Sequence, residues 1–144
     1  MIEKDTIRLL RECDAGIKMG VSSIADVYNH VTSQKMKDCL NACKDEHDAL
    51  DKDLQEQLGR FKDEGKNPNL MLKGMSRIKT NMKLAMENTD AAVADLMTDG
   101  CNMGVKSLNK YLNEYKAADE KSKDICKRLI NLEERLIHQM REFL

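Results

Sequence analysis

Two helix-spaced runs of apolar residues are each interrupted once by a side chain that can do chemistry. Ile7, Leu10, Ile17, Val21, Ile24, Tyr28 and Val31 recur at three- and four-residue steps, and Asp14 fills the step between Leu10 and Ile17. Met36, Leu40, Cys43, Leu50, Leu54, Leu58 and Phe61 do the same, and His47 fills the step between Cys43 and Leu50. A carboxylate facing an imidazole inside an apolar stripe has two uses. It can form a charge-assisted hydrogen bond that satisfies both groups, or it can supply two metal ligands. The residues fit the structural pair better than the ligand pair. On the second run Cys39, Cys43 and His47 also form an i, i+4, i+8 ladder, with Cys13 on the neighbouring run. Thiolates and imidazole in that arrangement suit copper(I) or zinc, although buried cysteines also serve as small hydrophobes.

Helices must position these groups. The apolar spacing predicts helices at about 6–31 and 34–63, with Asp5 and Ser33 placed to cap their starts. Gly65-Lys66-Asn67-Pro68-Asn69 then breaks the chain. A shorter amphipathic helix at 69–87 carries Met71, Met75, Ile78, Met82 and Ala85 on one side and Lys73, Arg77, Lys79 and Lys83 elsewhere. From Lys66 to Asn88 five basic residues meet one acidic residue, so this connection carries +4 against −5 for the rest of the chain. Two further helices are expected at 90–115 and 119–143, separated by a turn near Ala117.

The chain also repeats itself. Met19-Gly20-Val21-Ser22-Ser23-Ile24 returns as Met103-Gly104-Val105-Lys106-Ser107-Leu108, an offset of 84 at which Gly16 also matches Gly100. The second and last helices agree at offset 82, where Leu50, Leu54, Leu58 and Phe61 match Leu132, Leu136, Met140 and Phe143. Glycine inside a helix costs ~1 kcal/mol relative to alanine. Matched glycines on two helices therefore predict that the two faces pack closely together. The reading is all-α, a single domain over 1–144: two helical hairpins joined by a long crossover containing a short helix.

That arrangement is the four-helix bundle of the ferritin-like type. The chain resembles the uncharacterised bacterial ferritin-like four-helix-bundle proteins that carry a Cys-x-Asp-Gly-like element in the first helix, here Cys13-Asp14-Ala15-Gly16, in altered order. The resemblance implies a fold; that family has no agreed activity. Ferritin-like carboxylate centres take a Glu from each of two helices and a Glu-x-x-His from each of the other two. No Glu-x-x-His occurs here, since Lys44 precedes His47 and Arg135 precedes His138 by three. In the second hairpin Thr98 and Leu129 stand where Asp14 and His47 stand in the first, with Asp99 and Glu133 close by. Asp14, His47, Asp99 and Glu133 are thus the candidate set for a di-iron or di-manganese centre, and Cys39, Cys43, His47 and Cys13 the candidate set for a soft metal. No cofactor is expected from the incomplete motif.

Composition narrows the remaining functions. Lys+Arg (24) and Asp+Glu (25) nearly cancel, and aromatics reach only 3%, so neither a global field nor base-stacking side chains favour nucleic acid. The longest stretch free of charge is the eight residues Val27 to Gln34, too short for a membrane span. A charged start without an apolar core argues against a secretion signal, and five cysteines inside helices point to reduced thiols and a cytoplasmic location. The functional expectation is a non-enzymatic interaction or stress-associated module whose partner is a protein or a second copy of itself. A metal-binding bundle is the alternative.

Overall fold

A computed structural model of the protein describes residues 2–66, 84 and 87–144. Four α-helices account for most of them: α1 (Ile2–Tyr28), α2 (Gln34–Arg60), α3 (Asp90–Glu114) and α4 (Glu120–Met140), with a 3-10 turn at Arg141–Phe143. No strand occurs among the described residues. The helix expected at 69–87 lies outside them except for Leu84, which is buried, and Glu87, which is exposed.

Side chains just outside the helices set their ends. Ser33, Thr89 and Asp119 are extended residues whose side-chain oxygens accept from the amides of Met36, Ala92 and Ser122, satisfying donors that the first turn leaves open. Helix α2 stops at Arg60, before the expected Asp63. Lys62 adopts a left-handed conformation (φ 53°), and the amides of Lys62 and Asp63 bond back to the carbonyls of Gly59 and Leu58. That is a Schellman ending with lysine where glycine is usual. Helix α1 begins at Ile2, so Asp5 is already helical. Its carboxylate accepts instead from the amide of Ala117, while the Thr6 hydroxyl accepts from the amide of Asp119. The first turn of α1 thus stitches the turn between α3 and α4, where the chain breaks helix between Tyr115 and Asp119.

At the other end Asp90 accepts from the amides of Thr32 and Ser33 and from the Thr32 hydroxyl. Helices α2 and α3 therefore start side by side. Helix α4 packs on α3, α2 and α1, and α1 packs on α2 and α3.

The apolar core forms two blocks. One holds Leu9, Leu10, Cys13 and Ile17 of α1, Leu50, Leu54 and Leu58 of α2, Leu108 of α3, and Ile125, Leu129 and Leu132 of α4. The other holds Ile24 and Val27, Met36, Leu40 and Cys43, Met97 and Cys101, and Leu136 and Met140. Each helix passes from one block to the other across one short interval. Those intervals contain Gly20 on α1, His47 on α2, Gly104 on α3 and Glu133 on α4.

Candidate functional site

The layer between the two core blocks is polar. His47 is 2% exposed and Glu133 8% exposed, and each sits where a glycine on a neighbouring helix leaves room. A Cβ on Gly20 would stand 2.8 Å from His47 Nε2, and a Cβ on Gly104 would collide with the Glu133 carboxylate. The matched glycines therefore do not make a bare helix seam. Gly20 receives an imidazole from α2 and Gly104 a carboxyl group from α4. Gly16 packs against the Leu129 side chain, and Gly100 faces open space.

His47 Nδ1 lies 2.7 Å from the carbonyl oxygen of Cys43, one turn back on its own helix. A carbonyl only accepts, so Nδ1 carries the proton and donates it, which leaves the lone pair on Nε2. That Nε2 has no partner among the described residues. Burial lowers the His47 pKa below the ordinary imidazole value, and the bond to the Cys43 carbonyl partly opposes this. Glu133 Oε2 is likewise buried without a partner. Burial pushes the Glu133 carboxyl up to about 8, so it is mostly protonated at neutral pH. Two thiols adjoin the layer. Burial raises Cys43 to about 12 and raises Cys101 further, and the Glu133 carboxylate adds to both shifts. These thiols are held in the unreactive protonated form. On the surface beside the layer, Arg135 Nη1 donates to both carboxylate oxygens of Glu46, at 2.7 and 2.8 Å.

Asp14, expected to face His47, has different partners. Its fully buried carboxylate accepts from Lys18 Nζ (2.7 Å), Gln55 Nε2 (3.0 Å) and the amide of Lys66 (2.9 Å). The separation has a simple cause. Asp14 precedes Gly20, the residue His47 touches, by six positions, or about 9 Å of helix. Asp14 instead anchors the chain leaving α2, where Gly65 (φ 85°) packs on its carboxylate. Arg11 holds Asp63 and Glu12 holds Lys66 beside it.

The other candidates disperse. Asp99 is exposed, whereas Glu133 is buried. Cys13 belongs to one core block, where a hydrogen bond with the Cys126 side chain and burial hold its pKa up, and Cys43 belongs to the other. Cys39 is only partly buried. Among the described residues, no three His, Cys, Asp or Glu side chains are grouped so as to hold a metal ion. Sequence reasoning missed Cys101 and the pairing of Gly20 with His47 and Gly104 with Glu133. The signal was available in Gly20 and Gly104, matched at offset 84, each of which leaves space that a side chain of a neighbouring helix fills.

Two shallow surface depressions of about 290 Å³ each accompany this layer. One lies between α2 and α4 and is flanked by Glu46, Arg128 and Arg135, and the other lies between α1 and α2 beside Lys18, Asp48 and Asp51. Neither is lined by a cysteine, a histidine or Glu133. Comparison with protein-family models, curated proteins and solved structures returns no match.

Proposed function

We propose that the chain is a non-catalytic, ferritin-like helical bundle that acts as an interaction or stress-associated module. The observation that carries the non-catalytic reading is the placement of the reactive groups. Cys43, His47, Cys101 and Glu133 point into the core, away from both depressions, with the thiols protonated. A nucleophile or general base needs contact with substrate and an accessible reactive form, and this arrangement supplies neither.

The ferritin-like topology is supported by where the ends lie. The residues after α2 are tied to Arg11, Glu12 and Asp14, whereas Asp90, at the start of α3, is tied to Thr32 and Ser33 at the opposite end of α1. The two ends of the connection thus lie at opposite ends of α1, which is what a long crossover would require. The expected net charge of +4 on that crossover fits an acidic protein partner.

Complementation in a deletion strain challenged with heat or oxidant tests the functional reading. Wild type and a Cys43→Ala, His47→Gln double variant, both verified as folded by circular dichroism, should restore survival equally. Loss of protection by the folded double variant would contradict a non-catalytic role.

A further inference from the structure

The polar layer separates two apolar blocks on all four helices at once, and His47 Nε2 and Glu133 Oε2 within it have no partner among the described residues. Such a layer forgoes the apolar packing that the two blocks supply on either side of it. Neither His47 Nε2 nor Glu133 Oε2 recovers the hydrogen bond it gave up to water, and the apolar contacts lie above and below it. We propose that this layer is a proton-controlled opening point: loss of the Glu133 proton drives the helices apart locally and exposes Cys43 and Cys101 to solvent, while the block around Leu9, Leu54 and Leu129 stays closed.

Among the described residues an ionised Glu133 finds no counter-charge. From α2 it is faced by Cys43, with His47 in the same layer; from α3 by Cys101 and Gly104; from α1 the layer receives Gly20. The nearest cation on its own helix side, Arg135, is bound to Glu46 at the surface. Among the described residues no cation offsets the cost, and burial accounts for the raised pKa. Opening exchanges a buried carboxylate for a hydrated one. His47 acts in the opposite direction, since hydration lets it take up a proton at lower pH. The layer is tightest where Glu133 is protonated and His47 is neutral.

Amide hydrogen exchange followed by mass spectrometry, corrected for the intrinsic exchange rate, reads the opening equilibrium segment by segment. In the wild type the opening constant near Cys43–His47, Cys101–Gly104 and Glu133 should rise about tenfold between about pH 6.5 and pH 8, after allowing for His47. Segments around Leu9–Cys13 and Leu54–Leu58 should stay constant. Glu133→Gln, of nearly the same shape, should abolish the rise, and Glu133→Leu should do so even if the glutamine variant folds poorly. A flat wild-type profile, an equal rise in both blocks, or a rise that persists in a folded Glu133 variant would each overturn the proposal.

Discussion

Asp14 and His47 interrupt similar stripes but do different work, and their energetics should separate accordingly. Asp14 accepts three hydrogen bonds, so Asp14→Leu removes the acceptor of Lys18 Nζ, Gln55 Nε2 and the Lys66 amide and frees the chain leaving α2, although Gln55 keeps Asp51. We expect a loss of roughly 2–4 kcal/mol. His47→Leu removes an unpartnered nitrogen and fills the space beside Gly20 with apolar atoms, so it should cost less or be neutral. The two share no partner, and the double variant should equal the sum within about 0.5 kcal/mol in urea unfolding. A large coupling energy would show that the residues meet after all. The glycines make a sharper contrast. Gly20→Ala places a methyl group against the His47 ring and should destabilise by about 1–3 kcal/mol, whereas Gly100→Ala meets nothing within 4 Å and should stabilise by up to about 1 kcal/mol. Thermal melts of the two variants give the comparison directly.

At the scale of elements, the helix stripes were legible because they depend on local spacing. Ser33 before Met36 can be read as a cap without knowing what packs above it, whereas Asp5 lies inside α1 and Asp119, expected as the first residue of its helix, caps it instead. The turn near Ala117 could be inferred from the repeat, since the matching hairpin turns near Ser33. Pairings between helices were less accessible. Asp14 and His47 have similar separations from the first turn, but a shift of about 9 Å along α1 decides whether they touch. Neither spacing nor polarity encodes that shift; it follows from side chains filling the spaces at Gly20 and Gly104.

The connection between hairpins also depends on a titrating group. Burial would raise the pKa of Asp90, but the amides of Thr32 and Ser33 and the Thr32 hydroxyl outweigh it and hold the carboxylate below its ordinary value. A depressed folded-state pKa contributes stability above the unfolded value of 3.8, and that contribution is lost as pH falls through the lower folded value. Asp90→Asn should therefore lose stability at neutral pH and show a shallower further loss in acid. Urea melts from about pH 6 down to about pH 2 would show it, and parallel wild-type and variant curves would argue against the role.

For the molecule as a whole, the core consists of two apolar blocks divided by a layer that burial keeps uncharged. Glu133 and His47 pull stability in opposite directions with pH. The glutamate's raised pKa contributes stability in full below its unfolded value of 4.5 and loses it progressively up to about 8, while the histidine's lowered pKa contributes stability above 6.5 and loses it in acid. The most direct measurement is the carboxyl carbon chemical shift of Glu133 followed by NMR across the pH range, in the intact wild-type protein. Glu133 should titrate near 8, well above the ordinary glutamate value of 4.5. A Glu133 carboxyl that ionises near 4.5 would show that the layer is hydrated or paired, and would contradict the division of the core at its centre.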